Sequence, residues 1–427
     1  MERDGREVTS AEDSPVNLAE EHLTLGGGFG KAHVISYRNI AGIEAGDYRV
    51  HMDLNTGESV VFSHLGRGYE GFTRDLNARR NGLIVRDYLM YERAVEAGLR
   101  ADYVLEEGGS GSQGSGEVIL YETALVLATD GEGVTRIPYG LISDIRSGDY
   151  TLTVEEESGT RVTLSGMGRA HHHFVSTLSE TLDSLAARTA RELDEMMPTL
   201  GPEVIGRLTP HLRDGRAAAR SDLEALSPGI WDAFTRRMEE LGCLGYYEFL
   251  RSLSGTDAAY LGTKRGLLGD DVTGHYVWFM IPFVGRAPRP GNALAMEVAG
   301  EEGGRATYFF RLASRGEYPE IPEDELSGVV DDAAREINRC MMSINFRREP
   351  IYLPGERLRE PRYAHYAAAV AALPSLGHLR EMFIGRVIHR SEDGWRRDVS
   401  DLLNFNIGTR DDSARWRREA EIEGEPQ

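Results

Sequence analysis

Cysteine is almost missing from this chain: Cys243 and Cys340 are the two in 427 residues, too few for a disulfide framework. Each stands among apolar residues at helical spacing, where a small buried thiol is expected, and a reducing cytoplasm fits that usage. Lysine is equally scarce. Lys31 and Lys264 are the two, so 46 of the 48 basic residues are arginine, a composition expected of a high-GC prokaryotic genome. Long apolar runs are missing too. The longest, Tyr276 to Val284, has nine residues, whereas a membrane-spanning helix needs about 20, so no transmembrane segment is expected. The N-terminal MERDGREVTSAEDSP has no apolar stretch and more acid than base. It is expected to be a disordered leader over residues 1–17 rather than a secretory signal or transit peptide.

Positive charge is in deficit. The net charge is −21, and all of it lies before residue 342, because the last 86 residues hold 14 acids and 14 arginines. Such a field repels phosphate backbones and anionic lipid head groups, which argues against nucleic acid and membrane surfaces as partners. With 41% hydrophobic and 27% charged residues the chain has an ordinary globular balance, and its length suggests about three domains.

The most informative feature present is a duplication. Residues 18–86 read again, without a gap, at 120–188, with 20 identities in 69 positions where roughly 4 are expected from composition. The pairs include Leu23/Leu125, Ile35/Ile137, Tyr37/Tyr139, Gly46/Gly148, Asp47/Asp149, Tyr48/Tyr150, Gly66/Gly168, Arg67/Arg169 and Phe72/Phe174. An offset of 102 is too long for a solenoid repeat, so each copy is expected to bury its own core. In the second copy Glu117 to Asp130 and Val134 to Ile145 are rich in strand formers. Tyr150, Leu152 and Val154 alternate with polar residues, Glu157-Ser158-Gly159 supplies a hairpin turn, and Arg161 to Leu164 returns. Phe174, Leu178, Leu182 and Leu185 then recur at helical spacing.

Several antiparallel strands followed by one amphipathic helix make an α+β module. Its segments RIPYGLISDI and DYTLTVEEESGTRVTL, with the closing helix, resemble the pleckstrin-homology-like (PH-like) superfamily, in particular bacterial PH and GRAM-type domains. The resemblance covers residues 18 to about 190 and implies tandem modules, each a bent antiparallel sheet capped by a C-terminal helix. The expected organisation is a first PH-like module at 18–100 and a second at 101–190, with Glu106 to Gly116 as a flexible glycine and serine loop. A helical connector follows at 191–256, with Ser227 as N-cap before Pro228. An α+β domain at 257–346, with strands at Tyr276–Phe283, Ala293–Val298 and Ala306–Leu312 and a helix at Leu326–Ile344, is expected as a diverged third module. The last region, 347–427, is expected to be helical at Tyr363–Ala372 and Leu376–Ile388 and to fray at its end.

Signatures of chemistry are weak. His171-His172-His173 do not converge on one metal ion, since adjacent helical residues point about 100° apart, and are read as a solvent-facing helix start. Leu25-Gly26-Gly27-Gly28-Phe29-Gly30-Lys31 fails as a phosphate loop, with leucine at its first position and Ala32 where a hydroxyl is needed; it is read as a hairpin loop. His365, His378, Glu381 and His389 with Arg380, Arg386 and Arg390 form the densest functional group. Arg386 and Arg390, four apart on the expected helix, could clamp an anion. In the repeated Gly-Asp-Tyr the glycine is read as permitting a turn and the tyrosine as entering the core.

Candidate ligand-binding residues are therefore Arg380, Arg386, His389, Arg67 and Arg169, with no catalytic residue, metal or cofactor assigned. The expected function is a non-enzymatic, cytoplasmic adaptor or scaffold that binds a protein partner. The alternative is an enzyme or small-molecule-binding regulator with its site around Arg380, Arg386 and His389.

Overall fold

In the computed structural model the described residues are 2–3, 6–7, 15–26, 33–88, 92–131, 133–265, 275–299 and 306–416. The Gly27–Ala32 part of the glycine loop, most of the leader and the polar end from residue 417 lie outside them. The chain is α+β, with several antiparallel sheets, and no described helix is long and apolar enough to cross a membrane. It divides into two compact units, one of residues 1–181 and 347–377, the other of 182–346 and 378–427.

In the first unit, strands β1 (Glu2–Arg3), β2 (Arg6–Glu7), β3 (Val16–Leu18), β4 (His22–Leu25), β5 (His33–Ser36), β6 (Ile40–Gly46), β7 (Arg49–Leu54) and β8 (Glu58–Phe62) precede helix α1 (Tyr69–Tyr88). Then come β9 (Ala94–Glu107), β10 (Ser110–Tyr121), β11 (Ala124–Thr129), β12 (Val134–Pro138), β13 (Ile142–Gly148), β14 (Thr151–Glu156), β15 (Arg161–Ser165) and helix α2 (His171–Met196), whose residues from Leu182 on belong to the second unit. The sheet orders are β2-β1-β8-β7-β6, β3-β4-β5 and β12-β11-β10-β9-β15-β14-β13. Pairing registers coincide at the offset of 102. Leu23 faces Ile35 as Leu125 faces Ile137, Val50 faces Phe62 as Leu152 faces Leu164, and both copies shift register after Ile40 or Ile142. Alternation on β7, with Val50, Met52 and Leu54 buried between exposed neighbours, puts those three into a core with Leu23, Tyr37, Leu76 and Leu83.

Several expectations change here. Glu106 to Gly116 is no loose loop: β9 and β10 pair throughout it, turning at Gly108 and Gly109, whose φ values of 57° and 81° suit residues without a Cβ. The supposed leader contributes β1 and β2, with β1 lying beside β8 as β9 lies beside β15. Helix α1 lacks a clear amphipathic pattern because it packs on more than one neighbour. Its buried Asn81 donates to the Thr129 and Gly131 carbonyls at 2.9 and 3.0 Å, and Arg80 donates to the Ala41 carbonyl at 3.0 Å.

The stretch 347–377 belongs to this unit, contrary to a single C-terminal region at 347–427. It carries the short helices α8 (Glu349–Tyr352) and α9 (Gly355–Leu358) and then α10 (Ala364–Ala372), which packs on α1, β6 and the turn Tyr37–Asn39.

The second unit holds α3 (Pro202–Leu208), β16 (Ala217–Ala219), α4 (Arg220–Leu226), α5 (Ile230–Glu240) and α6 (Leu244–Leu253). It continues with β17 (Tyr260–Arg265), β18 (His275–Val284), β19 (Gly291–Ala299), β20 (Ala306–Phe310) and α7 (Leu326–Ser343). After the excursion to the first unit come α11 (Pro374–Met382), within which the unit boundary falls, β21 (Phe383–Ile388) and α12 (Glu392–Gly408).

One antiparallel sheet runs β16-β17-β18-β19-β20-β21. Every residue of β19 is buried, the mark of a strand covered on both faces. Val277, Phe279, Ile281 and Phe283 of β18 share a core with helices α5, α6 and α12, while Trp278 points the other way, toward Phe346 just past α7. Boundaries at 257 and 346 therefore do not enclose this sheet, because β16 comes from the connector and β21 from beyond Pro374. Leu376–Ile388 is likewise not one helix, since backbone pairing to β20 captures its second half. At the start of α5 the cap is Gly229, φ 82°, not Ser227. The Glu224 carboxylate accepts the Gly229 and Trp231 amides at 2.9 and 2.8 Å, which pulls its pKa below the ordinary carboxylate value.

Candidate functional site

The two Gly-Asp-Tyr turns form a repeated surface. The left-handed residues are not the glycines. They are Asp47 and Tyr48, at φ 48° and 57°, and Asp149 and Tyr150, at 49° and 60°, a two-residue hairpin turn with both central residues at positive φ. Aspartate tolerates that region, but a bulky tyrosine is strained there. The tyrosines do not enter the core as expected from sequence: Tyr48 is 72% exposed and Tyr150 61%. In the turn each side chain projects away from the sheet, and the space beneath is filled by neighbours on the following helix. Tyr48 lies 5.4 Å from the Tyr69 ring, and Tyr150 lies 5.8 and 5.7 Å from those of His171 and His172.

Beside each turn, in the 3-10 turn that opens the helix, stand Arg67 and Arg169, both exposed and without a hydrogen-bond or ion-pair partner among the described residues. In the first copy this corner is a cleft of about 710 Å³ lined by Tyr48, Arg49, His64, Arg67, Tyr69 and Glu70. Exposed apolar area, strained aromatics and unpaired guanidinium groups meet twice. Of the histidine run, His172 and His173 face solvent, but His171 is buried, its Nε2 3.1 Å from the Thr151 carbonyl oxygen. No group of three metal-ligating side chains occurs among the described residues.

Of the remaining sequence candidates, His378 and Glu381 come within ion-pair distance, Nδ1 to Oε2 3.9 Å, and among the described residues the others do not gather. His365 lies in the first unit; Arg380, Arg386, His378 and His389 lie in the second. Arg386 is in β21 opposite Tyr308, so the expected helical clamp with Arg390 does not form. Burial and the nearby Arg415 bring the Arg380 pKa down to about 10. His389 enters a dense, buried polar cluster whose carboxylate is not among the sequence candidates. The partner is Glu297 on β19, fully buried, whose Oε2 lies 3.2 Å from His389 Nε2 and accepts the Thr307 hydroxyl at 2.5 Å. Trp395 Nε1–H donates to that hydroxyl at 2.9 Å, and the Tyr246 ring lies 4.1 Å from the His389 ring. The available signal was one glutamate inside the otherwise apolar run ALAMEVA, where a charge needs a buried partner.

Burial, with help from Glu297, pushes the adjacent Cys243 thiol up to about 12. Because only the thiolate attacks disulfides, Ellman's reagent added to the native chain at pH 8 is expected to modify neither Cys243 nor the equally buried Cys340, and to titrate both once the chain is unfolded. Rapid reaction of one thiol in the native state would contradict the burial.

A cleft of about 1430 Å³ in the second unit is lined by Arg220, Glu224, Tyr260, Arg286, Arg289 and Asp331, among others, and by none of Arg380, Arg386 and His389. No family model matches the chain, and no curated protein matches it. Among solved structures, the crystal structure of the C-terminal domain of an unknown protein from Leishmania infantum is similar at 16% identity, covering 24% of this chain and 95% of that one. Its TM-score of 0.19 is too low to carry an argument.

Proposed function

We propose that this is a non-enzymatic adaptor, cytoplasmic and built on tandem PH-like modules, that binds a protein partner through the two tyrosine turns of its first unit. One observation carries the reading: the same exposed, left-handed tyrosine stands beside the same unpaired arginine at both Tyr48/Arg67 and Tyr150/Arg169. At these exposed positions the strain is offset only by ring contacts at the surface, and such strain collects at binding sites. Tyrosine and arginine are also the side chains that most often anchor protein interfaces. The repeated strand registers support the tandem reading, and the acidic field supports a protein partner over nucleic acid. An enzyme with its site at Arg380, Arg386 and His389 would need those groups to converge on a concave pocket, and they are spread over β21, its flanks and a closed core.

The test is affinity capture from the native cell with the wild-type chain, Tyr48→Ala/Tyr150→Ala and Arg67→Glu/Arg169→Glu, each followed by quantitative mass spectrometry. Proteins retained by the wild type and depleted about tenfold or more with both variants are expected. Identical recovery with all three baits, or a co-purifying metabolite with no protein, would overturn the reading. Stability should move the opposite way. Tyr48→Gly and Tyr150→Gly relieve a left-handed strain of about 1–2 kcal/mol, partly offset by the added freedom of the unfolded chain, so each is expected to stabilise the first unit by about 1 kcal/mol. Hydrogen exchange of β7 and β14 reads this. Faster exchange would show the tyrosines to be structural.

A further inference from the structure

We infer that the free edge of β10 receives an extended peptide segment in which apolar and basic side chains alternate. Among the described residues, Ser110–Gly114 pairs with β9 on one side and with no strand on the other. Pairing to β11 starts at Gly116, preceded by one bond from the Asp130 amide to the Ser115 carbonyl at 2.9 Å. Sheets protect such an edge with lysine, proline, an inward charge or a bulge. Ser-Gly-Ser-Gln-Gly has none of these, and its register with β9 is regular from Ser110 to Val118.

Pairing decides what an added strand would meet. Ser110, Ser112 and Gly114 share one face with Glu107, Leu105 and Tyr103; Gly111, Gln113 and Ser115 share the other with Glu106, Val104 and Asp102. Because β10 is mostly glycine and serine here, it leaves the β9 side chains within reach of the next strand. The Tyr103 ring lies directly over Gly114, where a Cβ would be 3.3 Å away. On the opposite face Val104 is 44% exposed between Asp102 and Glu106; Arg161 is divided between Glu106 and Glu155 and Arg100 is paired with Asp130, so acids stay in excess on this face. A strand laid on β10 with period-two side chains would set apolar groups toward Tyr103 and Leu105 and basic groups toward Asp102 and Glu106. A second copy of this chain does not fit: it also carries −21, and its own edge has no basic residue. The surface is separate from the tyrosine turns and does not rest on them.

The probe is an acetylated, fluorescent octapeptide alternating valine and arginine, titrated into the full chain and followed by hydrogen exchange. Binding that slows exchange at residues 110–114 is expected. Replacing its arginines by glutamate, or using Asp102→Asn/Glu106→Gln protein, should weaken binding about tenfold. Of two peptides N-methylated on alternate residues, one should bind and the other fail, since only one set of amides faces β10. Tyr48→Ala/Tyr150→Ala should leave this affinity unchanged. The inference is overturned by absence of binding, by binding without protection of 110–114, by equal affinity of the two N-methylated peptides, or by a dimer that protects the edge without peptide.

Discussion

Replacing His389 with alanine is expected to destabilise the second unit by about 3–5 kcal/mol, the cost of breaking a buried polar pair from one side. Glu297 is fully buried, and beyond His389 its carboxylate has the Thr307 hydroxyl. Among the described residues Glu297 Oε1 and His389 Nδ1 have no hydrogen-bond partner, so the pair has no reserve when one contact is lost. His389→Gln keeps a donor near Oε2 and should cost less than half as much. Glu297→Met combined with His389→Leu removes both polar groups and should recover most of the loss, which makes the coupling visible as strong non-additivity. The measurement is urea unfolding followed by tryptophan fluorescence. Trp231, Trp278, Trp395 and Trp416 all lie in the second unit, so the signal reads that unit by itself. Single substitutions that each cost under about 1 kcal/mol would mean that the cluster is hydrated and not a closed core.

The second large effect is expected in the other unit. Ala369 on α10 is fully buried, and α10 packs on α1 and β6. Ala369→Glu places an unpaired carboxylate there and should cost about 3–5 kcal/mol, enough to release the 347–377 stretch from the first module. Hydrogen exchange in 37–46 and 69–88 should quicken markedly, while tryptophan fluorescence of the second unit stays native. Ala369→Ser, which adds a small hydroxyl able to bond back along its helix, should change little. Unchanged exchange with the glutamate variant would show that α10 is not needed to cover that face.

Much of the local structure was legible before the fold was known. The strands of the second copy, the strand at 276–283 and the helix from Leu326 follow from alternation, turn residues and helical spacing, signals carried by neighbours in the chain. The candidate sites were legible only in part. Arg67 and Arg169 stand out from sequence, but Tyr48 and Tyr150 read as core residues, because an aromatic beginning an alternating strand normally points inward. The left-handed turn placed them outside. Glu106–Gly116 reads as a loop because glycine and serine are poor strand formers, but pairing of Ser110–Gly116 with Ala101–Glu107 of β9 overrides that propensity. Phe383–Ile388 looked like helix because its apolar spacing suits either form, and the open edge of β20 decided for strand.

The sequence by itself determined the repeated unit, its turns and the apolar faces of its elements, because those depend on residues a few positions apart. Only the tertiary structure decided which edges pair and which polar groups are buried together. Glu297 meets His389, the 347–377 stretch joins the first unit, and among the described residues β10 keeps an open edge because long-range packing closes some surfaces and leaves others free. No local pattern in the chain encodes that choice.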